Sequence, residues 1–376
     1  HIIMVMCEAF SDLSDEAVFG YSGREDPLYG FKQVFQSERA ISGRIVPTAF
    51  GGGTADTEFN FLTGMKNHML GRTTVTGFRT IHRNIMSLPG IYKNNDYSLR
   101  FMHPGYDWFY NRRNVYTYLG FENQLYVDAF ENSDYKGPFI SDKAFLEKLK
   151  SGFEQHLASN NNPLFYFSVT IQNHQSYLYS KYGIEPPDMP VSAELSHKSK
   201  ELLSVYLEGV RDSSEMLLEL TEHLDKQDEP VLLVFFGDHR PSLQNAYSEL
   251  GVDIRRDDGA ECRIHTFQVP FVIWENSAYA EYVPFSNIES DLDIPENSLI
   301  SDNYLGALVY EITGMTGRDA FFDYLNEMRR QLPVACYSSY CLPDGTFTNT
   351  LTPTQQELLD KLSKWSYYRL KHEPVN

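Results

Sequence analysis

Three apolar runs, each stopping on a polar residue, constrain this chain more than any other feature. Ile2-Ile3-Met4-Val5-Met6-Cys7 runs into Glu8, and Leu164-Phe165-Tyr166-Phe167-Ser168-Val169-Thr170 runs towards Asn173-His174. Pro230-Val231-Leu232-Leu233-Val234-Phe235-Phe236 runs into Gly237-Asp238-His239. Such runs lack apolar/polar alternation and read as strands buried on both faces, the mark of a parallel sheet sandwiched by helices. Helical patterns at 141–157, 193–226, 302–313 and 352–372, with short ones at 85–94 and 112–119, separate or follow them. Further strands are expected at 43–47, 97–103 and 267–274, and 73–82 reads as loop. The expected class is α/β, with a mainly parallel central sheet and helices on both faces. In such sheets the loops beyond the strands' C-terminal ends line the ligand crevice. Glu8, Thr170 to His174 and Asp238-His239 all belong at that edge.

A second feature is Phe50-Gly51-Gly52-Gly53-Thr54-Ala55-Asp56-Thr57-Glu58-Phe59. Three glycines let the backbone turn sharply and approach a ligand closely. The helix expected over Ala55–Met65 has an acidic first turn, and Phe59, Leu62 and Met65 share one face. Thr54, where the loop enters this helix, either caps it or offers its hydroxyl beside unpaired N–H groups suited to a phosphate. Carboxylates from Glu8 and Asp238, the imidazole of His239 and the oxygen of Thr54 would make a mixed O/N ligand set. That set suits Mn²⁺ or Mg²⁺, with Zn²⁺ an alternative. Read singly, Glu8 is equally a solvated loop acid, and His103, Arg112 and His174 are ordinary polar residues.

With Lys+Arg 32 against Asp+Glu 51, the net charge of −19 leaves no basic footprint for broad nucleic-acid binding. Hydrophobic residues at 42% supply a sizeable core. No run of eighteen apolar residues is present, so nothing reads as a membrane-spanning helix. Opening directly inside a buried strand suggests a piece of a longer protein, whose missing N-terminal part would hold a membrane anchor. Cys7, ending the first strand, and Cys262, at the head of another, are expected to be buried thiols. Cys336 and Cys341 either close a small disulfide loop or stay reduced. Pro333, these two cysteines and Pro343-Asp344-Gly345 suggest a boundary, giving a catalytic domain over 1–325 and a small C-terminal subdomain over 326–376.

Taken in order, the segments resemble the lipoteichoic acid synthase family of phosphoglycerol transferases, within the alkaline phosphatase/sulfatase superfamily. Met4 to Glu8 is similar to the family's "(I/V)MxxE" first strand, and Gly51 to Glu58 to its nucleophile loop. Phe101 to Gly120 is similar to its "FHxxxxxFWNRxxxYxxLG" segment, with Asn173-His174 matching its "NH" and Gly237-Asp238-His239 its "GDH". Two departures are Tyr110, where the family has tryptophan, and the residues around His103. The resemblance implies one divalent metal, Mn²⁺ above all, held by Glu8, Thr54, Asp238 and His239. It implies Thr54 as nucleophile, His103, Arg112 and His174 around the phosphate and glycerol, and His174 as proton donor and acceptor. It further implies transfer of glycerophosphate from a phosphatidylglycerol-type lipid to a hydroxyl acceptor, a teichoic-acid-type polymer or glycolipid. The setting would be the extracellular face of a Gram-positive-type cell membrane. Two alternatives stay open: a phosphodiesterase or sulfatase-like hydrolase, and a non-catalytic surface module whose metal is structural. A formylglycine-type Cys/Ser-x-Pro-x-Arg loop, a GxxxxGK[ST] loop, an HExxH helix and a GxSxG elbow are all missing.

Overall fold

The computed structural model describes residues 1–14, 19–71, 75–131, 133–183, 189–252, 254, 259–295 and 298–375. In chain order the strands are β1 (Ile2–Cys7), β2 (Ala40–Val46), β3 (Ser98–Met102), β4 (Asn123–Leu125), β5 (Tyr135–Lys136), β6 (Phe139–Ile140), β7 (Leu164–Val169) and β8 (Leu232–Gly237). They continue with β9 (Val269–Glu275), β10 (Leu299–Ser301), β11 (Val334–Cys336), β12 (Ser339–Cys341) and β13 (Phe347–Thr348). Eight of them form one sheet in the order β10-β2-β9-β8-β1-β7-β3-β4. Each pairing is parallel except those of β9, which runs antiparallel to both β8 and β2. The expected α/β class therefore holds, with one reversed strand inside the sheet.

The pleat divides the apolar residues of β1 between two cores. Ile2, Met4 and Met6 join Phe61, Phe101, Phe236 and Leu305 on one face. Ile3, Val5 and Cys7 join Leu146, Leu203, Tyr206 and Leu217 on the other. That is why the run shows no alternation: both faces are covered, and each residue has a core to enter. The long helix His197–Leu224 and the helix Asp142–Ser159 cover one face. The other carries Thr54–Thr63 and Asp302–Ile312, and every residue of Thr54–Thr63 is buried.

Expected elements recur with shifted ends, as at Leu88–Lys93, Arg112–Tyr118 and Pro353–Lys371. Within the segment read as loop, residues 72–74 lie outside the described residues, while Thr76–Thr80 is a short helix. Cys262 does not head a strand. It sits in the helix Ala260–Phe267 and is half-buried, because β9 starts only at Val269. In the β11–β12 hairpin Cys336 lies opposite Ser339 and Cys341 opposite Val334, so the two cysteines are diagonal rather than facing. The boundary at 325/326 falls inside the helix Ala320–Gln331. A C-terminal subdomain of the small sheet and last helix remains a proposal, and its Leu332, Ala335, Leu359 and Leu362 share the main core.

Candidate metal centre and catalytic site

Register brings the candidate ligands together. Met6 lies opposite both Val169 and Phe236, and Cys7 opposite Gly237, so β1, β7 and β8 end level with one another. The Glu8 amide donates to Thr170 Oγ1 (3.0 Å), and the Ala9 amide to Asp238 Oδ1 (2.7 Å). The glycine loop is tied to the same edge by the Gly51 amide donating to the Arg240 carbonyl (2.8 Å). Gly51, Gly52 and Gly53 have φ of 67°, 140° and 97°, a succession that only glycine takes without strain. A Cβ on Gly51 would also come within 2.9 Å of Ser242 Cβ. The loop thus delivers Thr54 as the first residue of its helix, with Gly53 in the capping position. Thr57 Oγ1 donates to the Asp238 carbonyl (2.7 Å) and locks that helix onto β8.

The result is a buried cluster. Thr54 Oγ1 donates to Glu8 Oε2 at 3.3 Å, and His239 Nε2 lies 3.7 Å from Glu8 Oε1 and 3.3 Å from Asp238 Oδ2. Ligand atoms of Glu8, Asp238 and His239 all fall within 4.8 Å of one another. Asp238 Oδ1 is held by the Ala9 and His239 amides, which leaves Oδ2 aimed at its neighbours with no hydrogen bond. His239 Nδ1 faces the Arg240 carbonyl (3.0 Å), which fixes the proton there and turns an unpartnered, buried Nε2 lone pair inward. Burial, and then Asp238, push the Glu8 carboxyl up to about 8. Two carboxylates and an imidazole with orphaned buried atoms form a cluster unfavourable by itself. A divalent cation offsets that cost, so the residues present fit one.

Around this centre the other expected residues are placed differently. Arg112 is buried and committed to Glu58: Nε reaches both carboxylate oxygens (3.2 Å each) and Nη2 reaches Oε1 (2.6 Å). Tyr116 donates to the same carboxylate (2.5 Å), and the Arg112 guanidinium lies 5.0 Å from the centre of the Tyr110 ring. His103 is buried with Nδ1 against the Val169 carbonyl (3.0 Å); burial and Arg112 keep it neutral, so its Nε2 accepts rather than donates. It is therefore matched to a hydroxyl better than to a phosphate oxygen. Gly105 leaves room for that ring, since a Cβ there would meet His103 Nε2 at 2.4 Å. His174 is half-buried, with Nδ1 on the Gln175 carbonyl (2.8 Å) and its ring edge-on to Phe139. The coordinates gather Glu8, Asp238 and His239 with Thr54 hydrogen-bonded to Glu8, while Arg112 lies close enough to His103 to disfavour its charged form.

The sequence reading missed two residues. Glu58, seen only as first-turn acidity, is the partner of Arg112. Lys181 donates to the His174 carbonyl (2.7 Å) and lies over the rings of Tyr182, Tyr177 and Phe139 at 4.9, 5.2 and 5.8 Å. Burial brings its pKa down to about 8. Its position in Tyr-Ser-Lys-Tyr, among aromatics, was the only available signal.

Carboxylates, an imidazole and a helix-N-terminal hydroxyl thus meet at the C-terminal edge of a mainly parallel sheet. Residues 1–315 match the sulfatase family, and the chain belongs to it. Among solved structures, the chain is similar to the Streptococcus pyogenes phosphoglycerol transferase GacH in complex with sn-glycerol-1-phosphate (TM-score 0.73, 18% identity, 98% of this chain and 85% of that one). It is also similar to the lipoteichoic acid synthase LtaP from Listeria monocytogenes (TM-score 0.70, 19% identity, 100% and 93%). By sequence it is 28% identical over 238 residues to a putative cyclic beta-1,2-glucan modification protein of Rhizobium meliloti, covering 62% of this chain and 36% of that protein. The chain spans no more than about half the length of the curated relatives it matches.

Proposed function

We propose that this domain is a metal-dependent phosphoglycerol transferase with Thr54 as nucleophile. The observation that carries the reading is the convergence of Thr54, Glu8, Asp238 and His239, with Asp238 Oδ2 and His239 Nε2 buried and unpartnered. These four residues would hold one divalent cation, Mn²⁺ best suited, which when bound supplies positive charge that makes the Thr54 oxygen nucleophilic and offsets charge on the phosphoryl group. The Thr54 hydroxyl donates to Glu8, which leaves its lone pairs to face phosphorus. Attack on phosphatidylglycerol passes the Thr54 proton to Glu8, forms the Thr54–phosphorus bond and breaks the bond to the diacylglycerol oxygen, with His174 in the role of proton donor to that oxygen. The acceptor hydroxyl then gives its proton to His174 and displaces Thr54, which takes its proton back from Glu8. Arg112 and the N–H groups opening the Thr54 helix counter the charge on the equatorial oxygens. Neutral His103 accepts a hydrogen bond from a glycerol hydroxyl.

Support also comes from names attached to relatives: a phosphoglycerol transferase, a lipoteichoic acid synthase and a glucan modification protein. A polymer or glycan hydroxyl as acceptor agrees with all three. The reading extends to a catalytic domain at the extracellular face of the membrane, anchored through a part of the protein outside this chain. Among the described residues no helix is long and apolar enough to cross a membrane. Incubation with phosphatidylglycerol and Mn²⁺ should release diacylglycerol and leave one glycerophosphoryl group on Thr54, visible by intact mass. A Thr54→Ala protein that keeps full release contradicts the reading. Release of diacylglycerol without transfer to any hydroxyl acceptor but water would favour the hydrolase.

A further inference from the structure

Three ring–ring contacts and one cation–ring contact lead from solvent to Arg112 beside the candidate site. Tyr106 and Trp108 are 61% and 67% exposed, and Phe109 is 44% exposed. The Tyr106 and Trp108 rings lie nearly parallel (23°) with centroids 5.5 Å apart. Trp108 meets Phe109 at 5.9 Å and nearly at right angles (89°), Phe109 meets Tyr110 at 4.3 Å, and Tyr110 carries the Arg112 guanidinium at 5.0 Å. The backbone is held out of its preferred region to achieve this. Tyr110 and Asn111 both have φ of 57°, a left-handed pair without glycine. Asn111 tolerates this region, but Tyr110 costs roughly 1 kcal/mol or more there, so its conformation points to a role other than stability. Nothing in phosphoryl transfer itself uses the three outer rings.

We infer that the exposed Tyr106–Trp108 stack, flanked by Phe109 at right angles to Trp108, receives a sugar ring of a neutral saccharide acceptor, next to the site where its hydroxyl reacts. The inference rests on the transferase reading above and specifies its acceptor. Flat, exposed aromatic faces bind the C–H face of a pyranose, and rigid Tyr and Trp rings do so at little entropic cost. Polar groups suited to a carbohydrate interleave in the segment: Asp107, between Tyr106 and Trp108 in the chain, pairs with Arg113, and Asn114 donates to Asn111. A lipid surface fits less well. Pressing the loop into headgroups would bury Asp107 and Arg113 at a desolvation cost, whereas a saccharide leaves that pair in water.

Trp108 also supplies the readout. Of the 3 tryptophans, Trp274 is buried and Trp365 packs on Tyr324 and Phe321, so Trp108 dominates the solvent-sensitive fluorescence. The Thr54→Ala protein, which binds without turnover, is titrated with a neutral β-linked gluco-oligosaccharide and with an N-acetylglucosamine oligomer. A saturable blue shift with either is expected. Added Trp108→Ala should weaken binding, measured by calorimetry, by roughly tenfold or more, as truncating an anchoring tryptophan does. Trp108→Tyr should retain most of the affinity, which separates loss of a ring from loss of fold. No saturable binding of either probe overturns the inference, as does equal affinity in Trp108→Ala. So does loss of co-sedimentation with phosphatidylglycerol vesicles in Trp108→Ala while oligosaccharide affinity stays intact, which would make the loop a lipid-docking surface. Failure of the transferase reading shows separately, as no diacylglycerol release by the wild-type protein.

Discussion

Two buried charged clusters lie at the same edge of the sheet, and they are built on opposite terms. At Glu8, Asp238 and His239, polar atoms face one another with two of them unpartnered. At Glu58, Arg112 and Tyr116, each carboxylate oxygen has a donor, and three hydrogen bonds run from Arg112 alone. The first cluster is incomplete as protein; the second is complete. An unsatisfied buried carboxylate is expensive, and folds keep such groups where a ligand supplies the missing interactions. A matched pair needs no ligand, so Glu58 fixes the Arg112 guanidinium in place and limits how far it can reach towards a substrate.

The contrast makes opposite demands on mutation. The largest effect is expected in catalysis: Asp238→Asn should lower diacylglycerol release by about 10³-fold or more, the scale on which members of one catalytic unit act. Next comes stability at the complete cluster. Arg112→Met and Glu58→Gln each leave a buried charge or dipole without its match and should cost about 3–5 kcal/mol in urea unfolding. An intermediate case is Lys181, held over aromatic rings and bonded to the His174 carbonyl. Its folded pKa of about 8 lies below the ordinary 10.5. Between those values the unfolded chain carries the proton that the folded chain has given up. Stability from this group is therefore full above 10.5 and is lost as pH falls towards 8, by at most about 1.4 kcal/mol per pH unit. Lys181→Met should flatten that slope in unfolding measured across the window. The smallest effect is expected for Asp238→Asn in chelator: stability within about 1 kcal/mol of wild type, or above it, because crowding against Glu8 is relieved. A large loss there would erase the distinction between the clusters.

How much of this was legible in the sequence follows from the same contrast. Strand-end residues could be read because a buried run has a visible stop, as at Cys7-Glu8 and Gly237-Asp238-His239. The glycine run announced its own turn. Pairings across the fold could not be read, since nothing local in Glu58 says that Arg112 lies against it. The direction of β9 was hidden for a related reason: Phe267 to Trp274 is apolar whichever way it runs, and only its antiparallel partners β8 and β2 decide. The helix after Thr54 was read from one apolar face, whereas all of it is buried, including Asp56, Thr57, Glu58 and Asn60. Those polar residues are the ones that bond to the strand ends, to Val75 and to Arg112. The rings at 106–109 lie inside the segment matched to the family motif, but their exposure could not be read, because it is a property of the folded loop.

The central claim is that four side chains from three separate segments share one cation. Anomalous diffraction from crystals grown with Mn²⁺ tests it most directly. The account predicts a single strong peak within bonding distance of Glu8, Thr54 Oγ1, Asp238 and His239 Nε2. A peak elsewhere, or one that leaves Thr54 outside the coordination sphere, would contradict it.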